Sequence, residues 1–366
     1  MDIRIKKHVE ILVNYSLNVK KDEKVLIQGD VTVLPMIKEC YRQILQKGAF
    51  PQIKVGCDEV SEILLKTGNN DQIQYIPASA YKTVETVDAV LTIIGPSNTR
   101  ILSDVKPDKL KLSAQGQTKY RNIFYGREAE GKLRWCLTLF PTLANAQEAN
   151  MSYADYCDFV YEACGLKHDN PIKIWQKMHE EQQRICDILD TKKHLRIVAK
   201  DTDISMLIEG RKWIDCSGQV NFPDGEIFTG PVENTVEGHI RFSFPGIYNG
   251  NAIEDIKLSF EKGKVVKASA TKGEELLQQL LETDEGARFV GEIAVGTNYN
   301  NKRFTRNMLF DEKIGGTVHL AIGRSFPESK AKNLSAIHWD MLCDMSTGGK
   351  IFADNEIIYK NGKFLI

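Results

Sequence analysis

Apolar residues Ile5, Val9, Leu12, Val13 and Leu17 recur at helical spacing near the start of the chain. A second set, Leu34, Ile37, Tyr41, Ile44 and Leu45, repeats the pattern and ends at Gly48. Between and after them, segments 24–28 and 52–55 read as short buried strands, so the chain opens on a strand–helix–strand unit. Two more apolar runs, 89–94 and 133–139, stop at Gly95-Pro96 and at Pro141, each preceded by polar, helix-compatible sequence. Strands alternating with helices predict a mainly parallel sheet covered on both faces.

Helical patterns follow over 153–163 and after Asp169-Asn170-Pro171, where Ile172, Trp175, Ile185, Ile188 and Leu189 mark one face. From His194 the texture changes to alternating strands with glycine and asparagine turns, as in 235–244, 252–260 and 264–270; only 274–282 reads as helix. The segment 350–364 fits a hairpin or meander. A chain of 366 residues also exceeds the ~250–300 at which one core stops growing. The pattern therefore predicts an amino-terminal α/β domain over residues 1–190 and a β-rich α+β domain over residues 191–366.

Composition narrows the function. The 48 basic and 49 acidic residues are interspersed and leave a net charge of -1, so no broad field exists to hold a nucleic acid backbone. No run approaches the ~18 apolar residues of a membrane span, and the first residues lack the apolar core of a signal peptide, so no membrane association is expected. Eight cysteines without a Cys-x-x-Cys pair suggest reduced core thiols and a cytoplasmic protein.

Of the seven histidines, His8, His168, His179 and His194 sit among polar neighbours, and His239 lies in an alternating strand. His319 and His338 lie in apolar runs (317–322 and 336–341), where an imidazole needs a partner. In His338-Trp339-Asp340 strand alternation puts the ring and the carboxylate on one face. The pair is either a metal chelate or a buried hydrogen-bonded couple. Glu226, Glu292 and Glu312 also border apolar sequence, although each alone fits a turn or the surface, and Asp224-Gly225 fits a hairpin corner. Several buried acids in one β-rich domain become tolerable where they converge on cations. Two metals bridged by a carboxylate and a hydroxide would supply an acidified water and Lewis acidity, the chemistry of amide hydrolysis.

The blocks Trp135-Cys136-Leu137-Thr138, Pro223-Asp224-Gly225-Glu226-Ile227-Phe228-Thr229-Gly230-Pro231, Thr283-Asp284-Glu285-Gly286-Ala287-Arg288, Asn307-Met308-Leu309-Phe310-Asp311-Glu312 and Ser335-Ala336-Ile337-His338-Trp339-Asp340 occur in order. With them the sequence resembles the thermophilic aminopeptidase family of dinuclear metallopeptidases, the aminopeptidase T and aminopeptidase S group. The resemblance implies a metalloexopeptidase that removes amino-terminal residues from short peptides and assembles as a homodimer. It implies two divalent ions (zinc, cobalt, manganese or magnesium) held by Glu226, Glu292, Glu312, His319, His338 and Asp340. Glu292 would bridge the ions, and Glu292 or Glu312 would handle the proton.

One position departs from the family. A tyrosine is usual seven residues after the histidine ligand, and this chain has Phe326, so either another hydroxyl such as that of Tyr248 or Tyr299 substitutes or turnover is reduced. A catalytically impaired metal-binding homologue and a different dinuclear amide hydrolase are the alternatives within this resemblance. A nucleotide-binding reading, with Gly29-Asp30 as a phosphate turn, lacks a glycine-rich cradle after the first strand.

Overall fold

Strands β1 (Lys24–Asp30), β2 (Phe50–Gly56), β3 (Ala89–Ile94) and β4 (Arg134–Leu139) run parallel in the order β2-β1-β3-β4, with the short strand Asn221–Phe222 parallel beside β4. They belong to a computed structural model of the chain that describes residues 2–248 and 250–366. The chain divides into two units: residues 1–172 with 218–222, and residues 173–217 with 223–366. The first is an α/β unit. Its sheet is parallel because each strand is followed by a helical crossover, as at Leu34–Gln46 between β1 and β2.

The helix Ile3–Ile11 is capped by the Asp2 carboxylate, which accepts from the Arg4 amide at 2.9 Å. Its inner face is Ile5, His8, Val9 and Leu12, so His8 falls at helical spacing on the apolar stripe. The ring is fully buried and lies 2.8 Å from Thr138 Oγ1, and burial pushes its pKa down to about 3. A neutral, hydrogen-bonded core histidine satisfies the stripe without chemistry.

At the end of β1, the Asp30 carboxylate accepts from the amides of Thr32 (3.1 Å) and Asp58 (2.8 Å). These amides are what a phosphate would require, and a carboxylate already holds them, which argues against the nucleotide turn.

The second unit is β-rich. An eight-stranded sheet contains the antiparallel pairs His194–Ala199 with Thr202–Leu207 and Lys350–Ala353 with Glu356–Lys360. A five-stranded antiparallel sheet has β5 (Ile214–Cys216), β6 (Glu226–Thr229), β7 (Val290–Gly296), β8 (Thr317–Gly323) and β9 (His338–Asp344) in chain order across it. Strict alternation sends Ile227, Ile293, Val295, Val318, Leu320, Ile322, Trp339 and Met341 into one continuous core. Each fully buried aliphatic chain there contributes about 1.5–3 kcal/mol. The expected helix near 274–282 is Glu274–Leu281, and its Leu277, Leu280 and Leu281 join the same core. Residue 190 immediately follows the helix Pro171–Leu189.

Candidate metal centre

The core claims one face of the five-stranded sheet, and the other face is where the acids and histidines gather. Cross-strand pairing places Glu292 opposite Ala321 and Ala321 opposite Asp340, a single row across β7, β8 and β9. His319 sits two residues from Ala321, His338 two residues from Asp340, and Glu226 pairs with Gly296, four residues from Glu292. Residues at even spacing in paired rows share a face, so all five side chains project together. Ala294, Gly296, Ala321 and Gly323 lie among them on that face and leave it open for polar groups. Gly323, at φ 93°, pairs with His338, and a Cβ there would run into the Ile337 carbonyl.

His319 Nε2 lies 3.1 Å from Glu226 Oε2 and 3.2 Å from Glu292 Oε1. His338 Nε2 lies 3.3 Å from Asp340 Oδ2 and 3.8 Å from Glu292 Oε2. Glu292 thus stands between the two imidazoles with one oxygen toward each. His338 Nδ1 sits 2.7 Å from the Arg324 carbonyl, so its N–H donates there and Nε2 faces the cluster. Glu226–Glu292–His319 and Glu292–His338–Asp340 are each convergent trios, with ligand atoms within 4.8 Å of one another.

The electrostatics show how strongly this face demands cations. Burial opposes a charge on His338, yet Asp340 and Glu292 outweigh it and raise its pKa to about 10. His319 is likewise driven upward against burial by Glu226 and Glu292. Glu226 is held down at about 2 despite burial, through Lys313 and His319, and Asp340 at about 2 through His338. Burial raises Glu292. It also raises Glu312, to about 8, with Asp340 and Glu226 adding to the effect.

Sequence reasoning missed two members. Lys313 is 2% exposed, and its ammonium pairs with Glu226, with Glu312 Oε2 at 3.1 Å and with Asp224 Oδ1 at 3.7 Å. Asp224, expected at a hairpin corner, is buried. Glu312 lies beside this lysine and belongs to neither trio. Its neighbour Asp311 is buried as well, raised by burial to about 7, and braces the loop by accepting from Thr305 N at 2.7 Å.

Phe326 flanks the cluster. Its ring centroid is 4.8 Å from that of His338 and 5.6 Å from that of Phe228. The two tyrosines considered as substitutes have contacts of their own. The Tyr299 hydroxyl donates to the Gly362 carbonyl at 2.9 Å, and the Tyr248 ring lies against Trp339, on the core side of β9.

Elsewhere in this unit His179 meets Asp215 Oδ2 at 2.5 Å and Ser217 Oγ at 3.2 Å. Both contacts use Nδ1, so the imidazole does not link hydroxyl to carboxylate as a nucleophile relay would require.

The donor set fits divalent metal ions. Asp340 Oδ1 is buried without a hydrogen bond, a costly state that a cation would relieve. Four buried carboxylates (Asp224, Glu226, Glu292 and Asp340) face a single ammonium, an excess of negative charge that divalent ions would neutralise. Oxygen and imidazole donors suit zinc, cobalt or manganese.

The profile of the thermophilic metalloprotease (M29) family matches residues 1–364. Aminopeptidase 2 of Geobacillus stearothermophilus is 28% identical over 352 residues, covering 88% of this chain and 83% of that protein. Aminopeptidase AmpS of Bacillus subtilis is 24% identical over 413 residues, covering 99% and 98%. The structure of wild-type AmpT from Thermus thermophilus matches with a TM-score of 0.87 at 21% identity, over 100% of this chain and 99% of that one, a likeness of fold.

Proposed function

Because the chain belongs to the thermophilic metalloprotease (M29) family, we propose that it is an aminopeptidase that removes the amino-terminal residue from short peptides with two divalent ions. The observation that carries this reading is Glu292, which alone among the described residues belongs to both ligand trios that include a histidine. Glu226 and His319 would hold one ion with it, and His338 and Asp340 the other. Two ions so held supply Lewis acidity and an acidified water at a peptide carbonyl. Zinc, cobalt, manganese and magnesium all suit the donors.

The chain's own residues account for the rest. The Arg324 carbonyl fixes His338 with Nε2 inward. Glu292 is committed between two histidines, whereas Glu312 is partly exposed and has its pKa raised to about 8. Glu312 therefore holds a proton near neutral pH and is the group placed to pass one to the departing amine. The acidic face favours a substrate's α-ammonium, and the rings of Phe228 and Phe326 form an apolar wall beside it. We assign this chemistry to residues 191–366, a homodimeric state by family likeness, and a cytoplasmic location supported by eight free thiols.

Cation uptake must displace the protons on His319 and His338. In the metal-free protein the raised His338 pKa stabilises the fold fully below its ordinary value of 6.5, and that contribution is lost as pH rises through about 10. Metal affinity should therefore increase with pH up to about 10. Calorimetric titration near neutral pH should show net proton release as a buffer-dependent enthalpy; an enthalpy independent of the buffer would contradict this protonation.

Phe326→Tyr would restore the hydroxyl usual in the family. One oxyanion donor is typically worth ~10²–10³ in turnover, so kcat should rise by about 10²-fold with little change in KM. Steady-state kinetics on one dipeptide checks it.

The reading is tested by a panel of unblocked and amino-acetylated di- and tripeptides, with chelator added and cobalt or zinc then restored. Cleavage confined to unblocked peptides, lost with chelator and recovered with metal, supports it. Equal cleavage of acetylated peptides would point to another amide hydrolase, and no cleavage by metal-replete protein would overturn the proposal.

A further inference from the structure

A third convergent group adjoins the two trios. Cys216, Asp224 and Glu226 also bring ligand atoms within 4.8 Å of one another. A thiol with two carboxylates is, by donor chemistry, a competent site for zinc or cobalt. It shares Glu226 with the first trio as that trio shares Glu292 with the second, so three cation positions follow one another.

A cation already lies against two of the three groups at the first position, Asp224 and Glu226. The Lys313 side chain is 2% exposed, and its ammonium contacts Glu226 Oε1, lies 3.7 Å from Asp224 Oδ1 and sits 3.1 Å from Glu312 Oε2. Glu226 thereby faces two ways, with Oε1 toward the ammonium and Oε2 toward His319 Nε2 at 3.1 Å. The lysine is fixed by its backbone as well: its N–H donates to the Phe310 carbonyl at 3.0 Å, and its carbonyl accepts from the Asn298 amide at 3.1 Å.

We infer that Lys313 is a built-in cation that fills the Cys216–Asp224–Glu226 position, excludes a third metal ion and holds Glu226 aimed at the first trio. The inference rests on the metallopeptidase reading and adds a positioning residue to it. A tethered ammonium does not exchange with solvent and imposes no coordination geometry, so the carboxylates stay assembled before any metal arrives. It carries one charge where a divalent ion carries two, so the remaining acids stay in excess for the two trios. It also keeps the Cys216 sulfur from coordinating a metal, which would otherwise draw a soft ion away from the oxygen and imidazole donors.

The test is cobalt loading of the full chain, its Lys313→Met variant and the Lys313→Met/Cys216→Ser double variant, each purified in cobalt and freed of unbound ion. Cobalt per chain and the thiolate-to-cobalt charge-transfer absorption are measured together. The wild type should hold two ions and show no thiolate band, K313M should hold three with the band, and the double variant should lose the band. A folded K313M with wild-type metal content and spectrum overturns the inference. Should K313M fail to fold, the wild type still decides: a thiolate band in it shows cobalt reaching Cys216 past the lysine and overturns the inference, whereas two ions without the band supports it. A wild-type chain that takes up no cobalt overturns the metallopeptidase reading and this inference with it, which distinguishes the two failures.

Discussion

Glu292→Gln is expected to strip both metal positions and to lower kcat/KM by about 10³-fold or more. Its two oxygens face different histidines, His319 at 3.2 Å and His338 at 3.8 Å, so one substitution removes a charged ligand from both trios. Lewis acidity from a bound metal is worth several kcal/mol of transition-state stabilisation, and about 1.4 kcal/mol corresponds to a tenfold rate. Glutamine keeps the volume, and β7 packs its opposite face into the core through Ile293 and Val295, so the fold should persist. Metal content and peptide hydrolysis measured on the same preparation check this. Loss of activity at full metal content would move Glu292 from holding metal to handling the proton.

Removing metal should also soften the β-rich unit. Asp224, Glu226, Glu292 and Asp340 are all buried, and without cations they repel one another, with Lys313 and two protonated histidines as the remaining compensation. A ligand present at a thousand times its dissociation constant stabilises the folded state by about 4 kcal/mol. For a unit of this size about 2–4 °C of midpoint accompanies each kcal/mol. Chelation should therefore lower the unfolding midpoint by about 8–16 °C, reversibly on adding cobalt or zinc. Scanning calorimetry with and without chelator reads the shift directly, and an unchanged midpoint would mean that the site is not metal-loaded to begin with.

The parts of this site visible in the sequence are those that break an apolar pattern. His338 and Asp340 stand two apart in a strand whose residues Trp339 and Met341 to Cys343 are apolar, and alternation alone places them on one face. Glu226, Glu292 and His319 show themselves in the same way, as polar groups in runs that otherwise build the core. Lys313 carries no such signal. A lysine after a glutamate and before Ile314-Gly315-Gly316 reads as a solvated turn, and only the three-dimensional meeting of Asp224, Glu226 and Glu312 shows why it is buried.

Asp224 is obscured by its glycine neighbour, which imitates a hairpin. Glu312, expected from family likeness to bind metal, lies beside the lysine and outside both trios. His8 is legible in principle, since 5, 8, 9 and 12 form one helix stripe, but a polar residue on that stripe looks like an interruption. The mainly parallel order of the first sheet follows from strands separated by helices, and the β-rich texture after residue 194 from turn chemistry. The cross-strand pairing that brings β6, β7, β8 and β9 side by side is set by contacts far apart in the chain, and no local pattern specifies it.

Anomalous diffraction from crystals loaded with cobalt or zinc tests the central claim most directly. Two peaks should flank Glu292, one among Glu226, Glu292 and His319 and the other among Glu292, His338 and Asp340. A single peak, or peaks away from this face of the sheet, would contradict a centre built on that shared carboxylate.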